Sequence, residues 1–263
     1  MSVRKTLKRL LYGRVPGYRG RFPYYGAQVH FPPNSFAFLA ACEQGVYERE
    51  NTKLLRFLAK PGTWMFDVGA NIGLMALPVL KDNPEVKVLS FEPSPNTLPF
   101  LKRTIEGSPY RDRWQLVSKA VGRSPGTTEF HVSPVSFDLF DSIAHGGRIR
   151  GATSVQLEMT TLDHEWQQLG RPAVSVIKID VEGWESEVLH GAKELIASQR
   201  PGILLEWNEV NLAPAGVSTG ALLELAKEMD YRLFNLPDFV EIRDTRALEL
   251  QMLRGESFLL SPA

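Results

Sequence analysis

The chain has 263 residues, 43% hydrophobic and 23% charged, an ordinary globular composition that at this length needs no disulfide or metal to hold a core. Its single cysteine, Cys42, excludes an internal disulfide framework and a cysteine-based zinc site, and a cytoplasmic setting is the expectation that follows. The formal net charge of zero divides unevenly: residues 1–42 carry seven basic side chains and no acidic one, leaving 23 basic against 30 acidic groups in the remainder.

Residues 1–45 read as a basic arm followed by a lead-in dense in Gly, Pro and aromatic residues. No secretory signal is expected, because Gly13 and Arg14 break the apolar run Leu10-Leu11-Tyr12. No apolar stretch reaches membrane-spanning length. The arm is expected to be a solvated tail, with contact to an anionic membrane, a lipid-linked glycan or a nucleic acid as the alternative. Residues 46–263 are expected to form one domain. A helix is predicted over Tyr47 to Ala59, ended by Pro61 and Gly62.

From Thr63 onward short apolar runs alternate with segments of helical period, the pattern of a parallel sheet covered by helices. Strands are predicted at Thr63 to Val68, Val86 to Phe91, Trp114 to Val117, Val174 to Ile179 and Ile203 to Glu206. Helices are predicted at Ile72 to Leu80, Asn96 to Ile105, Glu185 to Ala197 and Thr219 to Met229, the second capped by Ser94 and Pro95. Thr127 to Val132 and Val155 to Thr160 alternate like added antiparallel strands. Tyr231 to Leu236 and Ser257 to Ser261 read as a terminal hairpin.

Three strand ends carry the chemistry. Asp67-Val68-Gly69-Ala70-Asn71-Ile72-Gly73 stands where the first core strand turns into a helix, so its small residues admit a ligand close to free backbone N–H groups. Asp67 is suited to accept from a ligand ammonium or hydroxyl. A dinucleotide fingerprint is not met, since Asn71 replaces the second glycine, and this disfavours NAD and FAD. Glu92, in Phe91-Glu92-Pro93, puts a carboxylate at the next strand tip, where both ribose hydroxyls of an adenosine are in reach. Two acidic tips around a Gly-rich turn fit an adenosyl ligand with a charged amino-acid end, S-adenosylmethionine. Asp180 and Glu182, at the end of the strand Val174 to Ile179, should face the same crevice. Glu185 reads as a helix N-terminal carboxylate.

Phe66 to Gly73, Phe91-Glu92-Pro93, Ala120-Val121-Gly122, Thr161-Leu162-Asp163 and Ile179 to Gly183, in this order, resemble the FkbM family of S-adenosylmethionine-dependent methyltransferases over about residues 46–210. The resemblance implies an α/β, Rossmann-like class I methyltransferase. Its sheet would have seven mostly parallel strands with the last antiparallel, helices on both faces, and the added antiparallel strands. It further implies that Asp67, Gly69, Ala70, Asn71 and Gly73 line the methionine portion of the cofactor, with Glu48, in Gly45-Val46-Tyr47-Glu48, at its methionine end. Glu92 would hold the ribose, and Ser118 to Ala120 would border the adenine. Members are mostly O-methyltransferases of sugars, glycolipids or natural products.

Methyl transfer to a hydroxyl requires an aligned acceptor and a group that removes its proton. Asp180 is the first candidate for that base and Glu182 the second, with His131 and His145 behind them. A metal-assisted variant would use Asp180, Glu206 and Asn208 as oxygen ligands for Mg²⁺. Trp184, Trp207, Phe137 and Phe140 are candidates for an aromatic acceptor wall, and Ser133 to Arg150 for a lid. The acceptor is expected to be a small molecule or glycan. A nucleic-acid methyltransferase is disfavoured by the acidic body and by the absence of an Asn/Asp-Pro-Pro-Tyr motif near the fourth core strand. A non-catalytic binding module or a dehydrogenase would be told apart by cofactor titration.

Overall fold

The computed structural model describes residues 3–14, 19–33, 35–133, 143 and 153–263. The N-terminal part holds α1 (Val3–Arg14), the hairpin β1 (Arg21–Tyr24) and β2 (Ala27–His30), α2 (Phe36–Gln44) and α3 (Arg49–Leu58). Then follow β3 (Trp64–Val68), α4 (Ala76–Asp82), β4 (Lys87–Phe91), α5 (Leu98–Glu106), β5 (Trp114–Val117), β6 (Ala120–Val121), β7 (Gly126–Val132) and β8 (Thr153–Thr160). The remainder comprises α6 (Leu162–Gln168), β9 (Val174–Ile179), α7 (Glu185–His190), α8 (Lys193–Gln199), β10 (Gly202–Glu206) and α9 (Glu209–Leu212). The chain closes with α10 (Ala221–Glu228), β11 (Tyr231–Asn235), β12 (Glu241–Ile242), α11 (Thr245–Met252) and β13 (Ser257–Pro262).

The main sheet has eight strands in the order β12-β11-β13-β10-β9-β3-β4-β5. From β10 to β5 neighbouring strands are parallel, and β13 enters antiparallel to β10. The eighth strand, one more than the family pattern implies, is the two-residue β12 at the edge. β3 is buried along its whole length, as a strand covered by helices on both faces must be. A separate sheet of three strands joins β7 and β8 antiparallel, with β6 parallel to β8, which accounts for the two alternating segments. β11 and β13 pair antiparallel as the hairpin reading requires, with β12 and α11 in their connection.

Several predicted elements change for local reasons. The helix predicted from Ile72 begins only at Ala76, because Asn71 and Gly73 adopt left-handed backbone conformations, φ 51° and 87°, that no helix continues through. Ser94 and Pro95 form a turn ahead of α5, with the Ser94 Oγ accepting from Asn96 N at 3.0 Å, and the helix starts at Leu98. The helix predicted over Glu185 to Ala197 is two helices, broken where a Cβ on Gly191 would stand 2.0 Å from the Gly122 carbonyl oxygen. The irregular lead-in contains the β1–β2 hairpin. Phe22, Tyr24, Phe31 and Phe38 bury themselves there in one core with Leu55, Met65 and Leu77, and Phe31 stacks on Phe38 at 3.9 Å. The arm expected to be a tail forms α1, tied down by Tyr12 against Phe22 while Leu7 and Leu10 stay exposed. No described helix is long and apolar enough to cross a membrane.

Chain order runs β3, β4, β5 outward on one side of β3, then returns to β9 and β10 on the other. The crevice of such a sheet opens at that reversal, beyond the carboxyl ends of β3 and β9.

Candidate active site

Gly69 leaves β3 with φ 75°, and a Cβ there would stand 1.8 Å from the Asp180 carbonyl oxygen. Only glycine lets the two strand tips meet so closely. The ladder continues past them: Asp180 N donates to Val68 O at 3.1 Å, and Gly69 N and Ala70 N to Phe91 O at 3.0 Å. Asn71 N then donates to one Glu92 carboxylate oxygen at 2.7 Å, and Ser94 N to the other at 2.8 Å. Two backbone donors thus fix the orientation of the Glu92 carboxylate at the strand tip.

These groups line a cavity of about 290 Å³. Of the residues singled out from sequence, Glu48, Gly69, Ala70, Asn71, Glu92, Ala120, Asp180 and Glu182 all reach it. Asp67, Gly73 and Ser118 are not in its lining. Asp67 is wholly buried one layer below, Gly73 faces the Trp114 ring, and Lys119 takes the place beside Ala120 that was expected for Ser118. Glu48 stands in a left-handed conformation just before α3. It accepts from Asn51 Nδ2 at 2.9 Å and from the Tyr47 hydroxyl, and burial with the nearby Asp180 charge pushes its carboxyl up. Tyr47 is itself held from the N-terminal hairpin, its N–H donating to the Tyr24 hydroxyl at 3.1 Å.

Sequence reasoning missed Lys178. It sits in the otherwise apolar β9, in register beside Asp67 of β3. Its Nζ donates to Gly69 O at 2.7 Å and lies 3.2 Å from Asp180 Oδ2 and 3.8 Å from Asp67 Oδ1. Burial disfavours its charge, but Asp180, Asp67 and Glu48 outweigh this and keep it protonated. Burial raises Asp67, against the pull of Lys178.

Oxygen atoms of Asp180, Glu182 and Glu206 lie within 4.8 Å of one another. Burial and the Asp180 charge push Glu206 up to about 12, so it is a neutral acid that hydrogen-bonds Asp180. Burial alone would raise Asp180 too, but Lys178 and the bond from Glu206 hold it below the usual carboxylate range. Within the cluster Asp180 and Glu206 are thus a carboxylate and a carboxylic acid sharing a proton beside Lys178, with Glu182 as the third acidic side chain. Asn208 departs from the metal set inferred from sequence. Its Oδ1 caps α9 by accepting from Asn211 N at 2.8 Å, and it turns its amide nitrogen to Glu206 at 2.9 Å, so no oxygen is left facing Asp180.

Among the aromatic candidates Trp184 lines the cavity, and its buried Nε1 has no partner among the described residues. Trp207 belongs to the core, with Nε1 donating to Thr219 O at 3.0 Å. His131 pairs with Ser154 across the small sheet, away from the cavity. Phe137, Phe140 and His145 lie outside the described residues, as does the expected lid apart from Ser133 and Ile143, the latter lining the cavity.

Glu185 fixes the loop that carries Glu182. Its Oε1 accepts from Val181 N at 3.1 Å and Gly183 N at 3.2 Å. Burial pushes it from 4.5 up to about 7 despite those bonds. Between these values the folded chain holds a proton that the unfolded chain has lost, so stability falls as pH rises through the window. The loss is expected to reach about 2–3 kcal/mol. Denaturant titrations from pH 4.5 to 8 should show this slope, flattened in Glu185→Gln, which keeps the acceptor oxygen and removes the titration.

A model of the methyltransferase FkbM domain matches residues 67–233, well over half of the chain. The chain belongs to the FkbM methyltransferase family. It is similar to the 2-O-methyltransferase NoeI of Sinorhizobium fredii, 27% identical over 185 residues, which are 66% of this chain and 74% of NoeI. It is also similar to the hexuronic acid methyltransferase AglP of Haloferax volcanii, 30% identical over 156 residues, 57% of this chain and 59% of AglP. A crystal structure of methyltransferase FkbM from Methylobacillus flagellatus KT aligns with a TM-score of 0.48 and 14% identity, covering 85% of this chain and 52% of that one. As an FkbM methyltransferase the chain is an S-adenosylmethionine-dependent enzyme.

Proposed function

We propose that this enzyme transfers a methyl group to a hydroxyl oxygen of a sugar or sugar-bearing small molecule, with Asp180 removing the hydroxyl proton and Glu182 as the second carboxylate at the crevice. The observation that carries the reading is the course of the cavity, from the clamped Glu92 carboxylate at one strand tip to the Asp180 cluster at another. The acidic lining fits S-adenosylmethionine, which joins ribose hydroxyls to an ammonium and a sulfonium. When bound, that cofactor supplies an electrophilic methyl group. Glu92 is assigned to the ribose, Glu48 and the turn Gly69 to Asn71 to the methionine end, and Lys119 with Ala120 to the edge of the adenine. Asp180, ionised beside Lys178, is suited to draw the hydroxyl proton as the oxygen attacks. The sugar assignment draws support from NoeI and AglP, whose names specify 2-O- and hexuronic acid methylation.

Calorimetry with S-adenosylhomocysteine and with NAD tests the donor half of this reading. Binding is expected to the former alone, and the affinity should drop in Glu92→Ala. NAD binding, or an unchanged affinity in that variant, would refute the assignment.

A further inference from the structure

Methyl transfer brings two ligands together at one pair of atoms, so the enzyme needs two pockets that meet. A second cavity, of about 490 Å³, adjoins the first and shares Glu48, Met75, Lys178, Asp180 and Glu206 with it. Those shared residues surround the group assigned to the proton. The far wall is the segment 252–257 between α11 and β13, which lies beyond residues 67–233 and faces Asn51 of α3.

We propose that this second cavity is the acceptor site, that segment 252–257 sets its selectivity, and that its occupant is a neutral sugar. The inference rests on the sugar-methylating reading above and extends it to a location and a charge class. Met75 and Met252 offer apolar surface for a sugar's C–H face. Ser257, whose Oγ accepts from Asn51 at 2.8 Å, keeps its hydrogen to donate, and Glu256 accepts. The charges argue against an anionic sugar. The carboxyl groups of Glu48, Asp180 and Glu256 face this space, with Glu206 beside them as a neutral acid. Of the two cations of the wall, Lys178 is engaged by Gly69 O and Asp180, while Arg254, at the exposed rim, makes only a 3.5 Å contact with Asp238. A sugar carboxylate seated against Asp180 would meet carboxylates and a lysine already paired with one of them, with the exposed Arg254 only at the rim.

The test uses the full chain with S-adenosylmethionine and three probes: methyl β-D-glucopyranoside, a methyl 6-deoxyhexoside and methyl glucuronoside. The variants are Gly255→Trp and Glu256→Ala. Position 255 has room, since a Cβ there meets only Leu236 O at 3.6 Å. Transfer to a neutral glycoside is expected, favoured over the glucuronoside by about tenfold or more. Gly255→Trp should raise the KM for the glycoside about tenfold or more while the affinity for S-adenosylhomocysteine stays within about twofold. If that variant fails to melt cooperatively, Glu256→Ala, an exposed change that removes the acceptor, decides in its place. An acceptor KM unchanged in the deciding variant would overturn the assignment of the cavity and leave the sugar reading standing. Preference for the glucuronoside would overturn the charge class. A wild-type enzyme that methylates none of the three probes would overturn the sugar reading, and the proposed occupant with it.

Discussion

Asp180→Asn is expected to lower methyl transfer by about 10²–10⁴-fold, the range of a lost general base, while the affinity for S-adenosylhomocysteine stays within about threefold, under 1 kcal/mol. The substitution keeps the shape of the side chain and an oxygen for Lys178, which lies 3.2 Å away. It also removes the Asp180 charge that adds to burial in raising Glu206, so Glu206 ionises more readily beside the buried lysine, and Asp67 still lies 3.8 Å from that lysine. The fold should therefore survive. Asp180 is a weak base at rest, being held below the usual carboxylate range. That suits a proton taken late, because a hydroxyl oxygen becomes strongly acidic only as its bond to carbon forms. S-adenosylhomocysteine is the right probe since its sulfur is uncharged, so the loss of one negative charge at the crevice barely affects it. Single-turnover transfer and calorimetry on the same preparation separate the two effects. If transfer stays within about tenfold of the wild type, Asp180 is not the base, and Glu182→Gln becomes the variant to measure.

What the sequence revealed of this site follows from which signals are local. A glycine that must adopt positive φ between a strand and a helix, as at Gly69, leaves a mark in adjacent residues, and so does a carboxylate before a proline, as at Glu92. Both were legible, and the places of the core strands along the chain follow from the alternation of apolar runs. The helix start at Ala76 was misplaced because apolar periodicity runs straight through Asn71 and Gly73, whereas backbone geometry does not. The hairpin at Arg21 to His30 stayed hidden among Gly and Pro, yet it supports Tyr47 and through it Glu48. Asn208 illustrates the opposite error. Its residue type suits a metal ligand, but the nearest orphan N–H groups, at the start of α9, claim its oxygen first. Lys178 could be found only across strands. Its single local signal is a charge within Val-Ser-Val-Ile-Lys-Ile, and its meaning depends on the register that sets it beside Asp67.

That register makes Lys178→Met the variant with the largest expected cost to the fold, about 3–5 kcal/mol at pH 8, the scale for removing one partner of a buried ion pair. Asp67 has no exposure, its polar neighbours are the Ser90 hydroxyl and Lys178, and the lysine 3.8 Å away is its counter-charge. Without it, Asp67 must stay ionised in an apolar core or take up a proton. Its folded pKa, already raised by burial, then rises further. A carboxyl raised in the folded state costs nothing below its unfolded value near 3.8, and its penalty grows as pH climbs toward the folded value. The deficit of Lys178→Met should accordingly be smaller at pH 5 than at pH 8, and adding Asp67→Asn should recover a large part of it. Urea denaturation of the wild type, the two single variants and the double variant closes the cycle. A deficit under about 1 kcal/mol, or one that does not change with pH, would show that the pair contributes little. The same lysine donates to Gly69 O at 2.7 Å, on the turn whose Asn71 N–H orients Glu92. Cofactor affinity should therefore fall in Lys178→Met even at pH 5, where the electrostatic deficit has shrunk, and the Asp67→Asn partner change should not restore it. Stability that recovers while affinity does not would separate the lysine's two roles, one to neutralise the core carboxylate and the other to hold the cofactor turn in place.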